Sequence, residues 1–408
     1  MAGTRRIPPG LGWPRHRAAT RRSVLAAGGA LALGLAARAP RAQGRPPIRI
    51  GILNTFTGVL AYNGVHNVAG MRLLFDRLGW TVAGRRIELV QEDDQGNPQI
   101  GLQKIRKLVE DDKVDLVCGP QISAVAMAIL NYVRDSKTFL VVSGAGNDAI
   151  TWARLPYLFR TTITSWQLCH PMGAWVFEHL GKAAVLLGTD FAAGHDTLAE
   201  FKTAFTASGG RVLKEIYPPL GTADFSPYLT DLQAIAPPVT YNWFGGTDAV
   251  RYIQQYAQLG LAKKTRMAGF AALVDGTVIA ATGRDALGIV TSTIYTDTLD
   301  NAANRRFVAE YRARHKDYPD LYVEYGYTAA QVVADTLAAT GGDTDKARMA
   351  AAMAKVAFAA PRGPFRFDPV THHPIQNVYV CEVREADGRL VNQDIATIRD
   401  VQDPGHKV

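Results

Sequence analysis

Residues 48–64, IRIGILNTFTGVLAYNG, decide the fold. The first half alternates β-branched and small apolar residues, which is the pattern of a strand buried in a sheet. The second half carries Thr55, Thr57, Gly58, Ala61, Tyr62, Asn63 and Gly64 and reads as a polar, glycine-containing loop. A strand that hands such a loop to the start of a helix faces a ligand, because open parallel sheets bind small molecules beyond the carboxyl ends of their strands. Both an enzyme and a binding protein use that arrangement, and the rest of the chain has to separate them.

Downstream the alternation repeats. Residues 67–77 have helical periodicity, 87–93 are strand-like, and a helix over 98–111 opens with Asn97 as cap and Pro98 in its first turn. Strands at 114–118 and 139–143 end in the loops Gly119-Pro120-Gln121-Ile122-Ser123 and Gly144-Ala145-Gly146-Asn147, with a helix over 124–132 between them. Such strand, loop and helix units predict a parallel, doubly wound α/β lobe, since parallel neighbours need a crossover helix. Residues 158–166, LFRTTITSW, read as an extended segment leaving that lobe.

A second series then restarts, with strands at 183–187, 212–217, 239–244 and 265–268 and helices at 171–180, 195–208, 228–235 and 248–259. A strand at 288–295 precedes three helical stretches, 302–315, 325–339 and 344–356, which are expected to cover the first lobe. Strands at 377–383 and 393–398 are expected to complete the second. The predicted division is 47–160 plus 294–370 for lobe I and 161–293 plus 371–408 for lobe II, with crossings near 160, 293 and 370.

The formal charge of +8 over 408 residues suggests a basic protein, but its distribution removes that impression. Residues 1–42 hold eight arginines and no acid; without them the chain's 45 basic residues fall to 37, against 37 acidic ones. The body is neutral and lacks the one-sided field that nucleic acid or an anionic membrane requires. Thr20-Arg21-Arg22-Ser23 precedes a weakly apolar run over 24–37, with small residues at Ala37, Ala39 and Ala42. That layout resembles a twin-arginine export signal over 1–42, and the run is too short and glycine-rich to span a bilayer. No cysteine follows it closely, so the expected product is exported, soluble and not lipid-anchored. Cys118, Cys169 and Cys381 have no metal-ligand spacing; they read as buried thiols, with a disulfide as the alternative.

Catalytic patterns are missing. The first loop lacks the glycine fingerprint of a dinucleotide site, no Walker loop occurs, and Ser143-Gly144 lacks the preceding glycine of a nucleophile elbow. Asp93-Asp94 reads as a turn and capping cluster with Asn97, and His372-His373 as a solvated turn. Glu178-His179 has no second histidine at zinc-protease spacing. Trp166, Trp243, Phe244, Tyr322, Tyr325 and Tyr327 are compatible with a core, whereas Phe191 and Phe270 are read in loops after strands, where a ligand surface explains an aromatic better.

Eight segments now carry a resemblance: IRIGILNTFTGVLAYNG, LVQEDDQGNP, DLVCGPQISAVA, FLVVSGAGN, LFRTTITSW, LLGTDFAAGHD, FGGTDAVRYIQQYAQLGL and FRFDPVTHHPIQNVYV. In this order they resemble a type I periplasmic solute-binding protein of the branched-chain amino acid (Leu/Ile/Val) family, serving an ABC importer. The resemblance implies two Rossmann-like lobes joined by a three-strand hinge, closing on a solute without chemistry. It implies no cofactor and no metal, a small-molecule ligand and a membrane permease as partners, no nucleic acid, a monomer, and a periplasmic location. The alternatives are the same fold as a sensor domain and, more distantly, a Rossmann-like enzyme.

Carried onto this sequence, the resemblance places ligand contacts at Asn63, Gln121, Ile122, Ser123, Ala145, Gly146 and Asn147 in the first lobe. There, backbone amides and the Ser123 hydroxyl would hold a carboxylate. In the second lobe it places them at Phe191, Ala192, Ala193, Thr247, Asp248, Phe270, Ala271 and Ala272. The family's amino acid binders commonly carry a tyrosine near 193 and an acid near 272, the latter for the ligand's ammonium; both positions are alanine here. Unless Asp248 substitutes, a buried ammonium would lack an anion, so a hydrophobic or aromatic carboxylate is expected ahead of a standard amino acid or amide.

Overall fold

The computed structural model describes residues 45–58 and 60–405; the side chain of Ala192, and the leader expected over 1–42, lie outside the described residues. Among them, two sheets organise the chain. In the first, β1 (Ile48–Asn54), β3 (Arg85–Asp93), β4 (Leu116–Cys118), β5 (Leu140–Val142) and β6 (Leu158–Arg160) run parallel, and the short β2 (Thr81–Val82) pairs antiparallel at one edge. The spatial order β2-β3-β1-β4-β5-β6 puts β1 in the interior, as its buried run requires. Ile48, Ile50 and Ile52 face one core and Leu53 the other, the two-residue period of a strand.

Helices α1 (Ala61–Arg77), α2 (Pro98–Arg106), α3 (Ser123–Ser136) and the single turn α4 (Ala149–Trp152) accompany this sheet. Asn97 caps α2 as its position suggests, accepting from the amides of Gln99 at 2.8 Å and Ile100 at 3.2 Å.

The second sheet contains β7 (Ala183–Gly188), β8 (Arg211–Ile216), β9 (Val239–Trp243), β10 (Arg266–Phe270) and β11 (Val290–Thr293), all parallel. It continues antiparallel through β12 (Ala357–Ala360), β13 (Gly363–Phe367), β14 (Pro374–Ala386) and β15 (Arg389–Val401). Around it lie α5 (Ser165–His179), α6 (Ala192–Ala207), α7 (Ser226–Ile235), α8 (Gly246–Gln258) and α9 (Gly276–Thr282). The last helices, α10 (Ala302–His315), α11 (Leu321–Ala339) and α12 (Lys346–Met353), return to the first lobe, where Phe307, Val323, Tyr327 and Met349 share a core with β1. The result is two doubly wound lobes joined by crossing segments.

The α1–α11 contact is backbone against backbone. A Cβ on Gly70 would lie 1.8 Å from the Val323 carbonyl oxygen, and one on Gly326 would lie 1.7 Å from that of Asn67. Only glycine fits either position.

Several boundaries differ from the sequence reading. Helix α1 begins at Ala61 rather than Asn67, because its first turn is only half-buried and shows no apolar periodicity. The segment 158–166 is not one extended strand: β6 ends at Arg160, and Thr164 starts α5 by accepting the Gln167 amide at 3.0 Å. Pro171 therefore sits inside α5, whose flanking Leu168, Cys169, Met172 and Val176 are anchored in the second core. The β12–β13 hairpin bonds to β14, while Phe365 and Phe367 pack in the first core.

His372-His373 is not a solvated turn. His372 stacks on Phe159 at 4.0 Å, and His373 is buried with Nε2 3.2 Å from Gln167 Oε1, so burial pulls its imidazole well below the usual range. That Gln167 side chain also donates to the carbonyls of Pro374 and Val401, and accepts from Gln376 at 2.9 Å. Beside it Arg362 and Glu324, both fully buried, form an ion pair, and Arg362 donates to the Thr161 carbonyl at 2.8 Å. The crossing segments are thus joined by a buried, largely satisfied polar network.

The three cysteines are free and buried, and burial pushes the Cys118 thiol up to about 12. Among the described residues no helix is long and apolar enough to cross a membrane, and no group of three or more His, Cys, Asp and Glu is placed to hold a metal.

Candidate functional site

The first loop is held from below. Asp93 Oδ1 accepts the Phe56 amide at 2.8 Å and Oδ2 the Thr57 hydroxyl at 2.7 Å, while Asp94 Oδ1 accepts from Thr55 at 2.6 Å. The acidic pair is a structural brace, as its turn-like sequence suggests. Asn63, read as a loop residue, lies in the first turn of α1 and hydrogen-bonds the Tyr322 side chain.

The loops after β4 and β5 meet through Ser123, whose Oγ accepts the Asn147 amide at 3.1 Å. This leaves the hydroxyl hydrogen free to donate. The Ala145 amide goes to the Pro120 carbonyl at 3.0 Å, so two of the amides expected to receive a carboxylate are engaged inside the lobe. The donors left at this wall are the Ser123 hydroxyl, the Gly146 amide and the first-turn amides of α3, which no side chain caps. Gln121 is also turned inward: it is buried, with Nε2 3.5 Å from the Ser143 carbonyl. Ala145 is fully buried and Ile122 packs on the same core, so both act through the backbone.

Arg160 fixes this wall from behind. It is fully buried and donates to the carbonyls of Ala145 at 2.9 Å, Ile163 at 2.7 Å and Asn147 at 2.6 Å. Burial pulls its guanidinium down to about 10, so it stays charged at neutral pH and favours an anion in front of the loop. Asp148 beside it is pushed up to about 7, by burial first and by Asp403 second, against the lowering effect of Arg160. At the rim, Asn147 Nδ2 donates to Asp196 Oδ2 on α6 at 3.2 Å, a direct bond between the lobes.

The second lobe's wall is aromatic. Phe191, 37% exposed, precedes α6 and meets Trp243 edge-on at 4.9 Å; Trp243 and Phe270 follow at 6.4 Å. Phe270 is the last residue of β10 rather than part of a loop. Ala192 and Ala193 begin α6, Ala271 and Ala272 follow Phe270, and exposed Thr247 lies in the first turn of α8.

Asp248, the residue that could stand in for the missing acid, is engaged within its own lobe. It is 5% exposed, Oδ2 accepts the Gly221 amide at 2.9 Å, and Arg251 lies 3.8 Å from Oδ1.

Sequence reasoning missed part of this surface. Trp243 ends a strand and so meets the criterion applied to Phe191, although in sequence it is equally compatible with a core. Tyr62 meets Tyr322 edge-on at 6.1 Å, and both line a cavity of about 440 Å3 between the lobes together with Ala271.

Comparison with known proteins agrees with this fold. A family model described as periplasmic binding protein matches residues 47–389. Leu/Ile/Val-binding protein homolog 6 of Brucella melitensis is 29% identical over 367 residues, covering 88% of this chain and 94% of that protein. An ABC transporter substrate-binding protein from Sphaerobacter thermophilus superposes with a TM-score of 0.85 at 34% identity, covering 88% of this chain and 100% of its own. A solute binding protein of an ABC transporter from Rhodopseudomonas palustris BisB5, solved with 3,4-dihydroxybenzoic acid, gives a TM-score of 0.83 at 32% identity, with 89% and 99% covered. By these descriptions the relatives are binding proteins, two of them components of ABC transporters, and not enzymes.

Proposed function

The chain belongs to the periplasmic binding protein family, among its Leu/Ile/Val-binding homologues, and we propose that it captures an aromatic or other hydrophobic carboxylate for an ABC importer. The division of the cleft carries the ligand class: hydroxyl and amide donors at Ser123, Gly146 and the start of α3 on one side, three aromatic rings on the other. The carboxylate sits at the donors, where a helix N-terminus and the charge of Arg160 favour an anion, and the ring lies against Phe191, Trp243 and Phe270. Small residues at Ala193 and Ala272 leave room for it.

With Asp248 bonded within its own lobe, the α-ammonium of a standard amino acid has no counter-charge from that residue. The dihydroxybenzoic acid bound by the Rhodopseudomonas relative is a ligand of the proposed class.

In this reading lobe I is 47–160 plus 294–370 and lobe II is 161–293 plus 371–408, and they close about the crossing segments. The remaining contacts expected from the sequence, Asn63, Gln121, Ile122, Ala145, Asn147, Ala192, Thr247 and Ala271, shape the cleft or support its backbone. The leader over 1–42 exports the chain to the periplasm, where it works as a soluble monomer that delivers solute to a membrane permease. Transport relatives favour this role over a sensor domain.

A thermal-shift panel of benzoate, hydroxybenzoates, leucine and isoleucine tests the reading. A ligand at a hundred times its dissociation constant adds about 2.7 kcal/mol of stability, a readily measured shift. Stabilisation by leucine and isoleucine without any by the aromatic acids would refute the ligand class.

A further inference from the structure

The cavity of about 440 Å3 differs in chemistry from the aromatic wall it adjoins. It is lined by Tyr62, His66 and Asp320 from the first lobe, by Asp275 and Asn392 from the second, and by Tyr295 from a crossing segment. Its volume lies in the range of small-molecule sites. Several of its polar atoms have no protein partner among the described residues. Tyr295 is 3% exposed and its hydroxyl bonds to nothing among the described residues. Asn392 donates Nδ2 to the Val274 carbonyl at 2.7 Å, but its buried Oδ1 accepts no bond among them.

Asp275 is half-satisfied. Its Oδ1 accepts from the amides of Thr277 at 2.9 Å and Val278 at 3.0 Å and from the Thr277 hydroxyl at 2.5 Å, while Oδ2 has no donor among the described residues. Asp320 approaches from the first lobe, its Oδ1 capping α11 and its Oδ2 bonded by the Tyr62 hydroxyl and 2.8 Å from His66 Nδ1. Asp275 and Asp320 line the same cavity from opposite lobes, which brings like charges towards one another; after burial, the Asp320 charge is among the influences that raise the Asp275 carboxyl above its usual range. Unpaired buried acceptors and converging carboxylates are both costly until a donor arrives.

We propose that this chamber is a second subsite of the ligand cleft, which recognises a hydrogen-bond donor, a hydroxyl or an ammonium, at the far end of an elongated aromatic carboxylate. The inference rests on the aromatic-acid reading above, since Ala271 and Tyr322 of the chamber belong to the same core packing as Trp243 and Phe270 of the ring wall. The distal group donates to Asp275 Oδ2 and Asn392 Oδ1, and a hydroxyl also accepts from Tyr295. Its arrival offsets the repulsion between Asp275 and Asp320, which links recognition of ligand length to lobe closure.

Calorimetric titration of the full chain with 4-ethylbenzoate, 4-(hydroxymethyl)benzoate and 4-(aminomethyl)benzoate tests this. At least one donor-bearing acid is expected to bind roughly tenfold more tightly than the ethyl compound, the gain of one well-placed hydrogen bond to a charged group. A gain confined to one of them identifies hydroxyl or ammonium as the group recognised. Asp275→Asn, which keeps the helix cap, and Tyr295→Phe, which keeps the packing, should each lower affinity for the favoured acid more than for 4-ethylbenzoate.

Equal binding of all three acids, or equal losses across them in both variants, overturns the chamber while leaving the carboxylate site standing. If none of the three binds, the aromatic-acid reading falls and the chamber with it.

Discussion

On the first-lobe side of the cleft the groups proposed to recognise the ligand are main-chain amides and one hydroxyl, whereas on the second-lobe side they are the rings of Phe191, Trp243 and Phe270. The polar wall depends on Arg160, which bonds three carbonyls from behind the loop and is completely buried. The aromatic wall depends on side chains at the ends of strands and the start of a helix, where exchange leaves the backbone in place. Polar recognition is therefore tied to folding stability, and apolar recognition is largely free of it.

Replacing Arg160 is the severest trial of that contrast. Arg160→Met leaves three carbonyls without donors and Asp148 without a nearby positive charge, and is expected to cost roughly 3–5 kcal/mol in urea denaturation, with ligand affinity lost in parallel. Unchanged stability would show that the loop is held by other bonds.

Phe191→Ala should give the opposite pattern: about 2 kcal/mol of affinity for an aromatic acid lost by calorimetry, with the melting temperature little altered because the ring is 37% exposed. A matching fall in stability would place Phe191 in the core. Ser123→Ala lies between the two, since its oxygen both accepts the Asn147 amide and leaves a hydrogen for the carboxylate. A loss of roughly 1–2 kcal/mol in carboxylate affinity is expected, and an unaltered titration would remove Ser123 from the site.

The smallest effect concerns charge behind the polar wall. Burial holds the Asp148 carboxyl up at about 7, above its unfolded value. Its protonated form therefore stabilises the fold, a contribution fully present below about pH 4 and lost as pH rises through about 7. Asp148→Asn should gain roughly 1 kcal/mol on the wild type between pH 6 and pH 8. A difference that stays flat across that interval, read from melting temperatures, would show that Asp148 ionises freely.

The order of strands and helices was legible because burial imposes periodicity on β1, α10 and their like, whose observed limits lie close to the expected ones. The loops after strands were legible as the place where the lobes meet for the same topological reason. Which donors they present was not. The Ala145 amide bonds to Pro120 and the Asn147 amide to Ser123, contacts between loops that are separate in sequence and adjacent only in the fold.

Arg160 reads in sequence as an ordinary polar residue at a strand end, and nothing local announces its complete burial. His372 and His373 likewise read as exposed, because the groups that bury them, Phe159 and Gln167, lie about two hundred residues earlier. Asp248 was legible as a candidate, but its engagement by the Gly221 amide was not, since Gly221 belongs to a loop with no sequence signature.

The glycine seam between α1 and α11 bears on how this protein's ligand range can change. Tyr62 and Asn63 stand at the tip of one helix and Tyr322 at the tip of the other, and Gly70 and Gly326 leave no space for even a methyl group between the two. Neither helix can be tilted by substitution along that seam without separating the pair. Divergence towards a new solute is therefore channelled into exchanges at the helix tips or on the facing lobe, and the first lobe persists as an inherited mould against which such exchanges are selected.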